Sequence, residues 1–528
     1  MVKTKLLVNL VIGGILILSS NSVFAAVSLP DEVPGIVTQT AQKDKAAVVL
    51  ISSVVTGIVS WPSFTMELAV DESILGTWQH PNETVIFNAD GRFSCITIAE
   101  SELSGTYATE GNILTLYYTA PIITTVEFTY TISGTTLTLD GYSYTKISEE
   151  TTDDDIVAIA ENFMFVMKTG IGATLETEVI SAGVSGTGFI VSPDGHIITN
   201  AHVVLAGEDL TNMIATEFIY SLSSTFSEGF SQYYDIPQGD QEAIVEILVN
   251  KFLDYFVENN GDIADITTDY YVVNGVPSPG EDMEAKIWPA VVKNQGTAYT
   301  EVGGESSWGE DIAIIKVEKN SLPTVNLGDS SKVQVGDSVF IIGYPTIGVE
   351  EFFQPESILE PTVTQGVISA KRMLKTGVEA IQTDAAINHG NSGGPAYNDD
   401  GEVIGIATFG AGPETGIEAI KFMMPINLAK EFMNELNVEN EHSIIDTKYA
   451  EALNAFWNRD CYTTIDKMNE VLTLYPDHPY AQEYIDECNR AIAAGEVSKP
   501  TFGTPGFELI LIVCAVALVL FLKRKRIN

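Results

Sequence analysis

Between Ala182 and Leu436 the chain is built of short β-branched runs cut by glycine turns, which constrains the fold more than any other feature. The runs include "GTGFIVSPDGHIITN", "DIAIIKV", "DSVFIIGYP" and "EVIGIATFG". Such runs are too short for helices, and glycine turns punctuate them, so this region reads as antiparallel strands. One stretch breaks the pattern. In "QEAIVEILVNKFLDYFVENN", Ile244, Ile247, Leu248, Phe252 and Phe256 recur at helical spacing, as do Leu210, Ile214, Phe218 and Leu222 upstream. Glu208 to about Ile266 (208–266) is therefore expected as a mostly helical insertion whose apolar stripes are packing faces.

The segment "INHGNSGGPAY" (Ile387 to Tyr397) packs poorly as helix or strand. It makes sense if the backbone bends sharply and presents bare N–H groups beside Ser392, a nucleophile with an oxyanion hole. A serine needs a base, and the chain holds six histidines. His389 shares the turn of Ser392 and cannot both reach its Oγ and receive an orienting carboxylate. His196 falls in the turn "PDGH"; His80, His442 and His478 lie in other regions. His202, which ends "GHIITNAH", remains as general base. Asp311 opens "DIAIIKV", so its backbone enters the core, and a buried acid needs a hydrogen-bonding partner such as His202. Asp329, Asp337 and Asp384 sit among turn residues and read as capping acids. The N–H groups of Gly390 and Ser392 are the expected oxyanion donors; a side chain at Gly390 would hinder that geometry.

"SGTGFIVSPDGHIITNAHVV", "DIAIIKV" and "NHGNSGGP", in the order His, Asp, Ser, resemble a trypsin-like serine protease of the HtrA/DegP type over roughly half of the chain. The resemblance implies a mainly β fold, two perpendicular six-stranded β-barrels with the triad between them. His202 is then the base, Asp311 its orienter and Ser392 the acylated nucleophile. Asn391 stands where digestive relatives carry the Asp that captures a new N-terminal amine, so activation by N-terminal cleavage is not expected. Ala386 stands where trypsin carries the acid of its specificity pocket, which implies cleavage after small to medium apolar residues. His389 replaces the family's usual Pro, which implies a looser or pH-sensitive oxyanion loop. No PDZ-like segment follows, so activation by captured C-terminal peptides does not carry over; oligomeric state, the family's trimer included, stays open. The family's opening strand is sought upstream, in "KAAVVLISS" (Lys45 to Ser53).

Other segments flank this protease, read as 155–440. From Leu68 to Ile147, short strands and Gly turns such as Ala89-Asp90-Gly91 suggest a small antiparallel barrel or sandwich. With its opening Gly76-Thr77-Trp78 it resembles the lipocalin-like domains of surface proteins (68–148), and "TTDDDI" reads as a linker. Over 441–494, Tyr449, Ala452, Phe456, Ile465, Leu472, Tyr475, Pro476 and Ala481 resemble about one and a half tetratricopeptide repeats. One repeat cannot bury its own face, so these helices are expected to pack on the protease or on another chain.

The two ends set the expected location. Lys3 and Lys5, an apolar run from Leu6 to Leu18 and Val23-Phe24-Ala25 predict a signal peptide over 1–26. Residues 27–67 follow as an N-terminal segment. At the other end a stalk (495–508) leads to a short apolar run (509–522) and Lys523, Arg524, Lys525 and Arg526. The basic cluster should stay cytoplasmic and the rest outside. Pro505-Gly506-Phe507 ahead of it resembles the archaeal PGF-CTERM sorting signal; a plain tail anchor gives the same topology.

With 27 Lys+Arg against 71 Asp+Glu the net charge is −44, which repels nucleic acid. It suits either an ordinary acidic extracytoplasmic protein or a salt-adapted one. Four cysteines without CxxC give no zinc site and no disulfide framework. Cys461 and Cys488 could pair if their helices run antiparallel. No metal or cofactor is expected, and the partners are polypeptide substrates and, through the tail, a membrane. The expectation is a surface-anchored serine endopeptidase acting on unfolded or damaged proteins. The alternatives are a catalytically idle protease-fold scaffold and, from the small barrel's shape alone, a ligand carrier.

Overall fold

The computed structural model describes residues 27–68, 74, 76–87, 92–97, 102–110, 113–120, 124–133, 136–140, 142–148, 165–169, 173–233, 238–275, 286–302, 305–345, 359–411 and 420–497. The expected signal peptide, the "TTDDDI" linker, the turn Ala89-Asp90-Gly91 and the apolar tail lie outside them. No described helix is long and apolar enough to cross a membrane.

The fold is mainly β, with two six-stranded closed barrels. The first closes through Val48–Pro62, Leu175–Ile190, His196–Thr199, Ala313–Val317, Ile287–Gln295 and Asp262–Val273, in that spatial order. Its opening strand is thus Val48–Pro62, and the small barrel's sequence lies between the first two strands of this one. The first barrel therefore draws on residues outside 155–440. Ala313–Val317 is buried at every position but Lys316, which explains why "AIIKV" is otherwise apolar. Gly186 and Gly188 are needed for close packing. A Cβ on Gly186 would lie 2.5 Å from the Val203 side chain, and one on Gly188 2.5 Å from Ile51.

The second barrel closes through Ser338–Gly343, Thr362–Met373, Glu379–Thr383, Ile420–Pro425, Val403–Ala411 and Pro395–Tyr397. Val339, Ile341, Ile368, Ile381, Ile404 and Met423 fill it. The helix Ile426–Glu435 leaves its last long strand.

Three helices follow, Ile444–Trp457, Cys461–Leu474 and Ala481–Ala493. Ser443 caps the first in a capping box with Asp446. They bury their faces on the barrel side of the chain and on its N-terminal segment. Asp446 Oδ2 accepts from Thr324 Oγ1 at 2.8 Å, and Trp457 Nε1 donates to Gln42 Oε1 at 2.6 Å. Cys461 and Cys488 are buried free thiols, not a disulfide. Burial, and then its neighbour Cys461, pushes the Cys488 thiol up.

The second barrel, parts of the first and the C-terminal helices belong to one compact unit, made of the described residues up to Ser53, Gly183–Glu208 and Asp269 onward. The other unit is Val54–Ala182 with Asp209–Thr268. It holds an eight-stranded closed barrel of consecutive antiparallel strands from Gly76–His80 to Tyr142–Ser148. Every second residue points inward, giving a core of Trp78, Phe87, Phe93, Tyr107, Leu114, Tyr130 and Leu137. Trp78 is fully buried and its indole N–H donates to the Ile74 carbonyl, which accounts for the Gly-x-Trp opening. The same unit holds the helices Leu210–Tyr233 and Gln238–Glu258, joined by a Phe218–Phe252 contact with ring centroids 5.8 Å apart. The helical insertion ends earlier than Ile266. Asn260 takes φ 57° and the strand begins at Asp262, because Asn259-Asn260-Gly261 cannot continue the helix and the next residues alternate in exposure.

Candidate active site

His202 and Asp311 reach each other from neighbouring strands. His196–Thr199 and Ala313–Val317 pair antiparallel with Thr199 opposite Ala313, so both residues leave the same end of the pair. His202 opens the short 3-10 turn His202–Val204. Its Nδ1 lies 3.0 Å from each carboxylate oxygen of Asp311, and its backbone N–H donates to Oδ1 at 3.0 Å. Asp311 is fully buried and takes φ 34°, a left-handed conformation uncommon for a side-chain-bearing residue. The neighbourhood holds it there. Its N–H donates to the Thr297 carbonyl at 3.2 Å, and its own carbonyl accepts from Asn200 Nδ2 at 2.8 Å. Strain held in this way gathers at functional sites.

Thr408, on Val403–Ala411, completes the carboxylate's shell: its hydroxyl donates to Asp311 Oδ2. Sequence reasoning missed this residue. Its signal was slight: a lone polar side chain closing the buried run "VIGIAT".

The loop before Pro395–Tyr397 presents Ser392. Gly390 takes φ 94° and Gly393 φ 87°, conformations that favour glycine. A Cβ on Gly393 would lie 2.0 Å from the Thr187 carbonyl oxygen. Thr187 ties the loop down: its N–H donates to the Ser392 carbonyl at 2.7 Å and its hydroxyl to the Gly390 carbonyl at 2.6 Å. Held so, the N–H groups of Gly390 and Ser392 donate to no acceptor among the described residues, while those of Asn391, Gly393 and Gly394 all do. Ser392 Oγ donates to the Thr408 carbonyl at 3.1 Å and makes no hydrogen bond with the His202 ring. Thr408 therefore binds Asp311 through its side chain and Ser392 through its backbone.

The other expected residues fall around this centre. Ala386 is exposed, and its carbonyl accepts from Thr364 Oγ1 at 2.9 Å. His389 is exposed on the loop, and Asn391 is buried with Oδ1 unpartnered. Asp329, Asp337 and Asp384 accept from the backbone N–H groups of Ser331, Gln334 and Val367. Among the described residues no group of three or more His, Cys, Asp or Glu is arranged to hold a metal ion. Trp308 was also missed from the sequence. Its ring meets the His202 ring edge-on at 5.8 Å and packs on Tyr299 at 4.2 Å between centroids. Burial, then the charges of Asp311 and Glu208, pushes the Tyr299 phenol up to about 12.

The model of the trypsin-like peptidase domain matches residues 255–406. That span includes Asp311 and Ser392 and begins after His202, which the helical insertion separates from them. A probable periplasmic serine endoprotease, DegP-like, of Pseudomonas putida is 34% identical over 41% of this chain and 40% of its own length. Its counterpart in Hahella chejuensis is 44% identical over 24% of this chain and 25% of its own. That in Halomonas elongata is 30% identical over 48% and 35%. The chain thus spans well under half the length of the curated relatives it matches.

Proposed function

We propose that the chain is a serine endopeptidase of the HtrA type that hydrolyses polypeptides through an acyl-enzyme. The observation that carries the reading is the buried Asp311 carboxylate held at once by His202 Nδ1, the His202 amide and the Thr408 hydroxyl. A carboxylate so placed fixes the imidazole with Nδ1 protonated, leaving Nε2 as the free base. Ser392 Oγ leaves the Thr408 carbonyl and turns to Nε2 when substrate binds; catalytic hydrogen bonds are often unformed before that.

Ser392 Oγ attacks the scissile carbonyl carbon as its proton passes to His202 Nε2. The tetrahedral oxyanion takes the unpartnered N–H groups of Gly390 and Ser392. His202 returns the proton to the leaving amine as the C–N bond breaks, and a water, deprotonated by the same imidazole, releases the acyl group. Asp311 stays ionised and stabilises the imidazolium throughout.

The substrates we propose are unfolded or damaged extracytoplasmic proteins. An extended segment adds to an exposed strand edge, which gives affinity with little demand on sequence. Ala386 brings no charge to pair with Lys or Arg, which favours small to medium apolar residues before the cut. The extracytoplasmic location is supported by the leader-like N-terminus and by relatives named periplasmic. Anchoring through the C-terminal tail completes the proposal. Labelling with a fluorophosphonate probe tests the chemistry: the wild type should label, and Ser392→Ala, His202→Ala and Asp311→Ala should not. Labelling that survives in Ser392→Ala places the nucleophile elsewhere. Peptides with Lys, Val or Ala before the scissile bond test the preference, and a strong Lys preference sinks it.

A further inference from the structure

The eight-stranded barrel holds a partly open cavity of about 300 Å³. That is twice the ~150 Å³ known to take a benzene ring in a protein core. Val85, Phe87, Phe93, Leu103, Leu116 and Phe128 are among the side chains that line it, so its body is apolar.

One carboxylate joins them. Glu83, Val85 and Phe87 are alternate residues of the strand Glu83–Phe87, so the acid occupies the inward row that the barrel otherwise fills with apolar groups. Tyr144 Oη donates to Glu83 Oε1, and Cys95 Sγ to Oε2 at 3.5 Å. Burial, and then Glu83 itself, pushes the Cys95 thiol up to about 12, so it remains a donor and adds no charge. Two hydrogen bonds leave the carboxylate with acceptor capacity to spare.

Aromatic rings stand at the same end of the barrel. The His80 ring lies 5.2 Å from that of Tyr144 and 6.1 Å from that of Tyr142, and all three line the cavity. Asn82 N–H donates to His80 Nδ1 at 3.3 Å. Aromatic faces beside a carboxylate are the arrangement that attracts an ammonium group. Among the described residues no Lys or Arg lines the cavity, so an anionic head would meet Glu83 with no cation there to offset the repulsion.

We propose that this barrel binds a small organic cation, an apolar body ending in a substituted ammonium group seated against Glu83, Tyr142, Tyr144 and His80. The site shares no residue with the serine centre, and its test needs no proteolysis. Octyltrimethylammonium, octanoate and octan-1-ol are titrated calorimetrically into the full chain at physiological salt, where loose attraction to the acidic surface is screened. The cation should bind once per chain and at least tenfold more tightly than the other two. Glu83→Gln should cut its affinity at least tenfold while sparing octan-1-ol. Octanoate binding as well as the cation overturns the proposal. So does cation binding at many sites that Glu83→Gln leaves unchanged, or no saturable binding of any of the three. Should Glu83→Gln fail to fold, which circular dichroism reads, the ranking on the wild type still decides.

Discussion

Thr408 gives its hydroxyl hydrogen to the buried carboxylate of Asp311, and through its carbonyl it also holds the hydroxyl of Ser392. A hydrogen bond to a charged group is worth about 1.5–3 kcal/mol. Thr408→Val should therefore lower kcat by roughly ten- to a hundredfold with KM within about twofold, and Thr408→Ser should restore most of it. Steady-state kinetics on a peptide substrate decide. An equal loss in Thr408→Ser assigns the residue to packing instead.

Asp311→Asn should cost about 10⁴ in kcat. The carboxylate now accepts from His202 Nδ1, the His202 amide and Thr408. An amide in its place must turn its NH₂ toward one of those donors, which favours the wrong imidazole tautomer. Near-wild-type turnover at neutral pH would remove Asp311 from the mechanism.

Gly390 stands at φ 94°, where a side chain adds strain of about 1–3 kcal/mol and tends to rotate the amide away. Gly390→Ala should cut kcat by about 10²–10³, the usual effect of losing one oxyanion donor. Stopped-flow acylation with an activated ester reads this directly, and acylation at the wild-type rate refutes it.

Trp308 packs edge-on to His202, a contact of the kind worth about 0.5–1.5 kcal/mol. Trp308→Ala should lower kcat/KM roughly three- to tenfold. Because the Tyr299 phenol is pushed up to about 12, it stays protonated throughout the working range. Tyr299→Phe should leave the pH–rate profile unchanged below pH ~10, and a shifted alkaline limb would show the phenol takes part.

Two buried groups pull stability in opposite directions with pH. Burial raises Asp44 from 3.8 to about 6, with Asp446 adding to the effect and Lys43, whose Nζ lies 3.2 Å from Oδ1, and the Tyr397 hydroxyl opposing it. Its stabilising contribution is full below its unfolded pKa near 4 and is lost as pH rises through 6. Burial, then the charges of Lys286 and Lys45, lowers His478 from 6.5 to about 3. Its contribution is full above 6.5 and is lost as pH falls toward 3. His478 Nδ1 also accepts from the N–H groups of Tyr480 and Ala481, at 3.3 and 3.2 Å, at the start of the last helix. Asp44→Asn should thus gain on the wild type by about 2–3 kcal/mol between pH 4 and 8. His478→Asn, which can keep the cap, should lose less than the wild type on acidification. Urea unfolding across that range measures both, and parallel pH curves would refute the assignment.

Much of the fold could be read from the chain because strand periodicity and glycine punctuation are local. "AIIKV" is buried almost throughout, and Gly186 and Gly188 sit where a methyl group would collide. The helical spacing of Phe218 and Phe252 likewise marked real helices, although their end was misread where Asn260 turns the chain into a strand. Thr408 and Trp308 left little local trace, since their roles come from what they touch in three dimensions. The paired fate of Cys461 and Cys488 could not be read either; spacing allowed a bond, and both are free thiols.

By itself the sequence determined which segments alternate as strands and where glycine is compulsory, and it singled out one serine, one histidine and one aspartate as candidates for acyl transfer. These follow from backbone sterics and side-chain chemistry within a few residues. Only the tertiary structure decided that Val48–Pro62 opens the first barrel, that Thr408 joins Asp311 to Ser392, and that Glu83 faces an apolar cavity. Closing a barrel pairs strands distant along the chain, and the sum of all its packing, not any local pattern, selects which of them meet.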